Sequence, residues 1–416
     1  MDSYIIRGGR PLRGITRVQG SKNSCLPIMA AALATGAQVV LHSCPDLTDV
    51  ASMARILVYL GCRVKREGST LTIDTAPAAY RPLPEDLMGG LRSSSIFMGA
   101  MLARFGRVQL CYPGGCALGR RPLDYHLSGF EALGAVSDYD QKQISLEGRH
   151  LQGTDIFLPY PSVGATQNLL IAAVSADGQT VLHGAAREPE VVDLIQFLTA
   201  CGAGIQGMGT DTVTVSGGGG LHGCEYRIMP DRIAAVTLLC MGLITGGQVT
   251  LQGITPMGLY NVLPMLKKMG AQLDLRYDRV GVSPSTIRGP GLICTAPHPG
   301  VPTDIQPLLC TLLATARGTT TVVDTVFENR FVYVRQLEKL GAAIQLPHPQ
   351  VAYIEGGSRY RPASVRATDL RGGAAVCMAA LAAPGESKIT DIDHILRGYE
   401  DLDGQVSALG GEMKRV

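Results

Sequence analysis

Apolar and polar positions alternate along the chain in a pattern that occurs six times. Each copy has a polar start, a run of small apolar residues, a glycine, an alternating strand, a loop and an amphipathic helix. The glycines in the middle of the copies stand 67 to 72 residues apart and are Gly36, Gly106, Gly178, Gly246, Gly318 and Gly385. Self-similarity at a fixed period is typical of a repeated structural unit. The pattern therefore predicts six helix–strand–helix–strand units.

The polarity of the predicted helices assigns them to two layers. The first helix of a unit, such as 96–103 or 165–176, is apolar almost all round and is predicted to be buried. The second helix, such as 191–200, 259–268 or 332–340, has one polar face and is predicted to lie outside. Glycines in the left-handed conformation are expected to cap these helices.

Units of this size cannot bury their apolar faces alone, so we predict that they pack as two lobes of three. A linear solenoid scaffold is the alternative arrangement. It is disfavoured because matched positions of the six units carry charges that a scaffold does not need.

Composition narrows the class of protein. The 416 residues are 46% hydrophobic and 17% charged, which excludes a disordered chain, and the net charge of +2 argues against a dedicated nucleic-acid binder. The 11 cysteines form no CxxC pair and the 8 histidines no HExxH motif, so neither a disulfide framework nor a zinc site is expected. With no apolar signal segment and no run long enough to cross a bilayer, we expect a cytoplasmic protein without membrane insertion.

Charged residues open the predicted buried helices. They are Lys22, Arg92, Asp231, Asp304, Asp369 and Arg371. An aspartate at this place is commonly an N-cap, but a cation is unfavourable at the positive end of the helix dipole. Lys22, Arg92 and Arg371 therefore indicate an anion held between them.

Arginines also recur in the loops that follow the strands. Arg330 and Arg397 each stand twelve residues after a mid-repeat glycine, and Arg187, Arg120 and Arg121 lie in the corresponding loops of earlier units. Matched arginines of this kind favour a clamp for phosphate and carboxylate groups.

The loop 113–122 departs from its counterparts in the other units. It is longer, and it carries Cys116 among glycines and close to Arg120 and Arg121. Neighbouring cations favour the thiolate and raise its reactivity. A lone cysteine in a glycine loop is more often structural, but the repeat argument favours a functional thiol here.

At these residues the chain resembles the UDP-N-acetylglucosamine 1-carboxyvinyltransferases, the enolpyruvyl transferases of bacterial cell-wall synthesis. The resemblance covers essentially the whole chain, and its motifs occur in order. They are Gly20-Ser21-Lys22-Asn23, Leu91-Arg92-Ser93-Ser94, Pro113-Gly114-Gly115-Cys116 with Arg121-Pro122, Ser162-Val163-Gly164-Ala165-Thr166, Ala186-Arg187-Glu188-Pro189-Glu190, Pro230-Asp231-Arg232-Ile233, Thr295-Ala296-Pro297-His298-Pro299 with Pro302-Thr303-Asp304, Val326-Phe327-Glu328-Asn329-Arg330, Thr368-Asp369-Leu370-Arg371 and Arg397-Gly398-Tyr399-Glu400.

The resemblance implies a fold and a domain division. The fold is α/β, an inverted α/β barrel with two similar domains of three repeats and buried helices. The first lobe would be residues 22–229 and would carry Cys116. The second would combine 1–21 with 230–416. The expected site draws on both lobes, so the resemblance also implies closure around the substrate.

The resemblance further implies transfer of the enolpyruvyl group of phosphoenolpyruvate to the 3′-hydroxyl of UDP-N-acetylglucosamine, with release of phosphate. Cys116 would donate a proton to carbon 3 and could carry a covalent adduct derived from phosphoenolpyruvate. Asp304 would be the general base on the sugar hydroxyl, and Asp369 would assist proton movement.

Binding roles follow from the same resemblance. Phosphoenolpyruvate would be bound through its phosphate by Lys22, Arg121 and Arg397, through its carboxylate by Arg330 and Arg371, and also by Asn23. UDP-N-acetylglucosamine would be bound by Arg92, Arg121, Pro122, Leu123, Asp124, Tyr125, Ser162, Val163, Gly164, Asp304 and Val326. Neither a cofactor nor a metal is expected, because arginines and helix N-termini would stabilise the charge.

The chain departs from the family pattern at three places. Tyr160 stands where some members have lysine, which puts one UDP contact in doubt. Gly89-Gly90 and Gly372-Gly373 replace bulkier residues before and after key arginines, and we interpret them as loosening the backbone there.

Three other functions remain open at this point. The enolpyruvyl acceptor could be shikimate 3-phosphate or a specialised nucleoside, or the chain could be a catalytically silent homologue that binds the UDP-sugar. The Cys116 loop disfavours the first, Tyr160 leaves the second open, and retention of Cys116, Asp304 and the cations disfavours the third.

Overall fold

The computed structural model describes residues 2–89, 92–111, 123–140 and 142–416, with only the backbone of Arg92 and Ser93. Within them the chain forms two compact units. The first lobe is drawn from residues 20–229, and the second lobe combines the N-terminal segment up to Gln19 with 230–416.

Helices and strands are interspersed throughout the described residues. The α-helices are α1 (Lys22–Thr35), α2 (Thr48–Tyr59), α3 (Glu85–Met88), α4 (Phe97–Phe105), α5 (Asp124–Ala132), α6 (Val163–Ala173), α7 (Pro189–Ala200), α8 (Arg232–Ile244), α9 (Leu263–Lys268), α10 (Gln306–Ala314), α11 (Val334–Lys339), α12 (Leu370–Ala382), α13 (Asp393–Leu396) and α14 (Leu402–Ala408). Short 3-10 helices occupy Arg92–Ile96, Pro256–Leu259 and Arg330–Tyr333.

The strands are short. They are β1 (Tyr4–Gly8), β2 (Arg13–Arg17), β3 (Gln38–His42), β4 (Arg63–Glu67), β5 (Thr70–Asp74), β6 (Arg107–Cys111), β7 (Val136–Tyr139), β8 (Gln143–Glu147), β9 (Asp155–Phe157), β10 (Gln179–His183), β11 (Gly204–Gln206), β12 (Thr212–Ser216), β13 (Glu225–Arg227), β14 (Gln248–Gln252), β15 (Gln272–Arg276), β16 (Arg279–Ser283), β17 (Gly291–Cys294), β18 (Thr319–Val323), β19 (Ile344–His348), β20 (Val351–Glu355), β21 (Ser364–Arg366), β22 (Gly385–Thr390) and β23 (Glu412–Arg415).

Each lobe contains three sheets, one for each repeat. In the first lobe the strand orders are β13-β3-β5-β4, β6-β8-β7 and β11-β12-β10-β9. In the second lobe they are β21-β22-β1-β23, β15-β16-β14-β2 and β17-β18-β20-β19. The predicted α/β fold of two lobes with three repeats each is confirmed. The predicted helix–strand–helix–strand unit was incomplete, because in most of the described units two or three strands follow the outer helix where one was predicted.

The inner helices form the core of each lobe. In the first lobe α1, α4 and α6 pack against one another, and in the second α8, α10 and α12 do the same. All are buried on nearly every side, which agrees with their apolar sequences. The sheets therefore surround the helices, the reverse of an ordinary α/β barrel.

The mid-repeat glycines have the predicted positive φ, between 61° and 122°. Only Gly36 and Gly106, however, are themselves the C-caps of helices. Each of the other four glycines lies one to four residues after the C-cap of its helix. Turns separate the cap from the glycine, such as the one closed by the hydrogen bond from Ala176 N to Ala173 O (3.1 Å).

The interpretation of Gly372 and Gly373 as backbone-loosening residues was wrong. Both lie inside α12, where a Cβ on Gly372 would come within 2.6 Å of the Cβ of Tyr333. A Cβ on Gly373 would come within 2.7 Å of Cγ1 of Ile395. Their role here is close packing. Gly89 follows α3, and Gly90 lies outside the described residues.

Every cysteine in the described part of the chain is a free thiol. Across the same residues no group of three or more His, Cys, Asp or Glu side chains could hold a metal ion. None of the described helices is long and apolar enough to span a membrane.

Candidate active site

Several predicted site residues lie outside the described residues. These are Cys116, Arg121 and Pro122, together with the neighbouring Arg120. For Arg92 the backbone opens the 3-10 helix that precedes α4.

In the first lobe, Lys22 is the first residue of α1 and is buried. Its Nζ atom lies 3.2 Å from Oδ2 of Asp49, a buried residue in the first turn of α2. The carboxylate offsets both the ammonium charge and the positive end of the α1 dipole. Asn23 is partly exposed beside it. Asp49 was not among the predicted site residues, because an acidic side chain in the first turn of a helix is an ordinary surface pattern.

The residue after Asn23 is fixed by a buried polar cluster. Ser24 Oγ donates to Asp193 Oδ2, and Tyr226 Oη donates to Asp193 Oδ1 at 2.6 Å. The amide of Met229 donates to the same carboxylate at 3.3 Å. Burial raises the pKa of Asp193, which these hydrogen bonds partly counteract. The cluster ties the start of α1 to α7 and to the segment after β13.

Two first-lobe segments predicted to bind the UDP-sugar, α5 and the start of α6, pack against each other. Ser162 is the N-cap of this helix and accepts from Ala165 N at 3.3 Å, and Val163 and Gly164 form its partly exposed first turn. Gly164 faces a buried residue of α5, since a Cβ there would lie 3.2 Å from Cε1 of His126.

That histidine belongs to a buried network. Asn168 Nδ2 donates to His126 Nδ1 at 2.9 Å and to Ser95 O at 3.2 Å, while Asn168 Oδ1 accepts from Gly99 N at 2.8 Å. The bond from Gly99 fixes the orientation of the amide, so His126 Nδ1 must be an acceptor. Burial lowers the pKa of His126 to about 4, which keeps the ring neutral.

The other predicted residues of α5 differ in exposure. Leu123 is buried, Tyr125 is partly buried and Asp124 is exposed. Tyr160, the departure noted in the sequence, is 38% exposed.

In the second lobe, Asp304 stands between two buried arginines. Its Oδ2 atom lies 3.2 Å from Nη2 of Arg371, and its Oδ1 atom lies 3.5 Å from Nη2 of Arg330. The arginine side chains are 3% and 1% exposed, whereas that of Asp304 is 29% exposed. The carboxylate is therefore paired with two buried cations and is itself partly exposed.

Arg330 is fixed by further bonds. Its Nε donates to Thr303 O at 3.0 Å, and its Nη1 atom lies 3.5 Å from Oδ1 of Asp369. Asp369 is the N-cap of α12 and accepts from Arg371 N at 3.1 Å and Gly372 N at 3.0 Å. In this state both predicted carboxylate-binding arginines are paired with protein carboxylates. Among the described residues, Nη1 of Arg371 finds no hydrogen-bond acceptor.

The loop that carries Val326 depends on an aspartate that the sequence analysis did not select. Asp324 is fully buried and accepts from Thr303 Oγ1 at 2.7 Å and from the amides of Val326 (3.0 Å) and Phe327 (2.9 Å). It joins the Val326 loop to the residue before Asp304. The sequence contains little indication of this role, because an aspartate that follows a strand commonly stabilises a turn.

Arg397 is the partly exposed C-cap of α13, and Tyr399 behind it is buried. Tyr399 Oη lies 2.8 Å from Thr237 Oγ1, and its ring centroid is 5.5 Å from the guanidinium carbon of Arg371. The second lobe thus gathers Asp304, Arg330, Asp369 and Arg371 in direct contact, with Tyr399 packed against Arg371.

The chain is similar to known proteins over most of its length. The family model of EPSP synthase (3-phosphoshikimate 1-carboxyvinyltransferase) matches residues 6–405. The chain is 40% identical over 420 residues to UDP-N-acetylglucosamine 1-carboxyvinyltransferase 1 of Staphylococcus aureus (strain bovine RF122 / ET3-1), with both chains fully covered. It is also 40% identical, with the same coverage, to UDP-N-acetylglucosamine 1-carboxyvinyltransferase 2 of Caldanaerobacter subterraneus subsp. tengcongensis.

Solved structures show the same fold over the full chain. The enolpyruvyl transferase NikO from Streptomyces tendae aligns with a TM-score of 0.90 at 28% identity, covering 100% of this chain and 99% of that one. EPSP synthase from Acinetobacter baumannii aligns with a TM-score of 0.76 at 19% identity, covering both chains fully.

Proposed function

The chain belongs to the EPSP synthase family, and from this premise we propose that it transfers the enolpyruvyl group of phosphoenolpyruvate to the 3′-hydroxyl of UDP-N-acetylglucosamine. Phosphate is released. This reaction is the first committed step of peptidoglycan synthesis, and it makes the chain a transferase of cell-wall biogenesis.

One observation of the structure carries the proposal beyond the family. Asp304 presents a partly exposed carboxylate backed by Arg330 and Arg371, two buried cations. A carboxylate that is partly exposed can accept a proton from a hydroxyl group of a bound substrate. The spare Nη1 donor of Arg371 suits a substrate carboxylate, which would share this arginine with Asp304.

The reaction is an addition followed by an elimination. Asp304 accepts the proton of the 3′-hydroxyl, the sugar oxygen bonds to carbon 2 of phosphoenolpyruvate, and carbon 3 receives a proton from Cys116. In the elimination the Cys116 thiolate takes a proton back from carbon 3, the bond between carbon 2 and the phosphate oxygen breaks, and the double bond between carbons 2 and 3 is restored. The proton held by Asp304 leaves with the phosphate, so the thiol and the carboxylate regain their starting protonation states.

The remaining residues bind and orient the two substrates in this proposal. Lys22 and Arg397 hold the phosphate together with Arg121, and Asn23 contacts the same substrate. Arg330 fixes Asp304, and with Arg371 it receives the carboxylate. Asp369 is assigned to proton movement near the reacting carbon, and its Oδ1 atom lies 3.5 Å from Nη1 of Arg330, which binds the same substrate.

The UDP-sugar is assigned to the first turn of α6, to residues 121–125 with Arg92, and to Val326 and Asp304. The exposed carboxylate of Asp124 and the partly exposed Ser162–Gly164 turn are available to such a ligand. We extend the proposal to a cytoplasmic location, to roles in cell shape and division, and to sensitivity to fosfomycin-type epoxides at Cys116.

The decisive experiment measures phosphate release from phosphoenolpyruvate with and without UDP-N-acetylglucosamine. We expect release that depends on the UDP-sugar in the wild type and is lost or strongly slowed in Cys116→Ser. A wild type that releases no phosphate would remove the enzymatic function and leave a UDP-sugar-binding homologue. Turnover with shikimate 3-phosphate or a nucleoside, but not with UDP-N-acetylglucosamine, would assign another acceptor.

A further inference from the structure

The side chain of Gln19 bridges two backbone groups far away in the sequence. Its Nε2 atom donates to the carbonyl oxygen of Gly398 at 3.0 Å, and its Oε1 atom accepts from the amide of Glu400 at 2.9 Å. The glutamine is 8% exposed. The donor and the acceptor of one buried amide group are therefore both hydrogen-bonded to the residues on either side of Tyr399.

This pairing defines the orientation of the amide. A flipped group would set its oxygen against the carbonyl of Gly398 and its NH2 against the amide of Glu400, with both bonds lost. Glutamine provides a donor and an acceptor on one planar group, which suits a carbonyl and an amide two residues apart. Neither a carboxylate nor an apolar side chain of the same length can satisfy both.

The main chain of Gln19 is itself anchored. Its carbonyl oxygen accepts from the amide of Asp231 at 2.9 Å, and Asp231 is the N-cap of α8. The preceding amide, that of Val18, donates to Gln252 O at 3.0 Å beside β14. Gln19 is therefore a fixed point of the second lobe, and it is the last residue of that lobe before the chain enters the first at Gly20.

The turn held by Gln19 leads directly to Arg397. The carbonyl of Ile395 accepts from the amides of Gly398 (3.0 Å) and Tyr399 (3.1 Å), which closes the turn on its other side. A Cβ on Gly398 would lie 2.7 Å from the side chain of Leu370, so the turn rests on the start of α12. A shift of this backbone would move the Arg397 side chain, because its Cα precedes Gly398 directly.

We propose that Gln19 is a positioning residue for Arg397: its amide fixes the turn 397–400 so that the guanidinium meets the phosphate of phosphoenolpyruvate. This inference rests on the proposed function, which gives Arg397 its ligand. It deepens that function by naming a group outside the substrate contacts that sets affinity for one substrate alone.

The test compares Gln19→Met, Gln19→Glu and a matched control. Methionine keeps the length and volume of the side chain but removes both hydrogen bonds. Glutamate keeps the acceptor for the amide of Glu400 but places its second carboxylate oxygen next to the carbonyl oxygen of Gly398, where Gln19 has a donor. Gln405→Met is the control, since Gln405 Nε2 also donates to a backbone carbonyl of the N-terminal segment, Arg17 O at 2.9 Å, at an exposed site. Thermal unfolding verifies that each variant is folded.

We expect both Gln19 variants to raise KM for phosphoenolpyruvate about tenfold, as the loss of oriented hydrogen bonds predicts. KM for UDP-N-acetylglucosamine should stay within about twofold of the wild type, because that substrate is bound elsewhere. The inhibition constant of inorganic phosphate should rise by the same factor as KM for phosphoenolpyruvate, since both report the phosphate contact. Gln405→Met should match the wild type in all three constants.

Several results would overturn the inference. If both Gln19 variants match Gln405→Met, the amide has no role in the site. If the two KM values rise together, or if the phosphate inhibition constant does not change, the role is structural. Should Gln19→Met fail to fold, the near-isosteric Gln19→Glu carries the same comparison. A wild type that releases no phosphate would remove the proposed function itself, a result distinct from an active wild type with unaffected variants.

Discussion

His126 makes the stability of the first lobe depend on pH. Burial lowers the pKa of this histidine to about 4, against 6.5 for an unperturbed side chain. The unfolded chain therefore binds a proton at a pH where the folded lobe does not. The sign follows from linkage: the contribution is fully present above pH 6.5 and is lost as the pH falls from 6.5 towards 4.

The two pKa values give the size of the effect. Between pH 7 and pH 5 the titration of this one group should lower the free energy of unfolding by about 2 kcal/mol. Geometry gives the same direction, because a proton on Nδ1 would remove the acceptor used by Asn168 Nδ2. The Asn168 amide also forms hydrogen bonds with Ser95 O and Gly99 N, so protonation of His126 in α5 should also weaken the packing of α4.

The assay is urea unfolding at pH 7 and pH 5, followed by far-UV circular dichroism because the chain has no Trp. His126→Gln should lose less stability over this interval than the wild type, by about 2 kcal/mol. His150→Gln removes an exposed histidine and should leave the wild-type difference unchanged. If His126→Gln loses as much stability as the wild type, the buried neutral imidazole is not the source of the pH dependence.

Two further predictions concern α12. Gly372→Ala should destabilise the protein by about 1–3 kcal/mol through overpacking, although alanine is the better helix former. Gly220→Ala is the control, and it should be nearly neutral because the space around Gly220 is open. Thermal unfolding measures both variants, and a Gly372→Ala protein more stable than the wild type would contradict the close packing. Asp369→Asn should keep the N-cap hydrogen bonds, whereas Asp369→Ala should lose them and be less stable than Asp369→Asn by ~1 kcal/mol in the free energy of unfolding. Both variants should lose most of the phosphate-release activity. An active Asp369→Asn would show that the charge facing Arg330 is dispensable.

The sequence predicted the architecture well because a repeated pattern reports the same physics six times. Gly36 and Gly106 end their helices as expected, and the apolar helices are buried. Helix ends elsewhere were less predictable, since turns after the helix depend on main-chain hydrogen bonds that any residue can make.

The sequence indicates the residue types of the candidate site but not which of them are in contact. The sequence marks Arg330 and Arg371 as cations at matched positions, yet it does not show that both face Asp304. The interpretation of Gly372 was wrong because a glycine in the sequence indicates conformational freedom of the backbone, whereas the nearby position of Tyr333 is set by the tertiary fold. Gln19 and Asp324 carry no motif, and their partners are set by the tertiary fold.

The N-terminal strand β1 lies between β22 and β23, and the two ends of the chain meet there. Ser3 N donates to Val416 O and Val416 N to Ser3 O, both at 2.9 Å. The second lobe is thus interrupted in sequence but continuous in space, and a few glycines could join its ends. One gene encoding residues 230–416, a short linker and then 2–19 would produce this lobe as an uninterrupted polypeptide. Each half of the molecule would then be encoded by one continuous stretch of sequence.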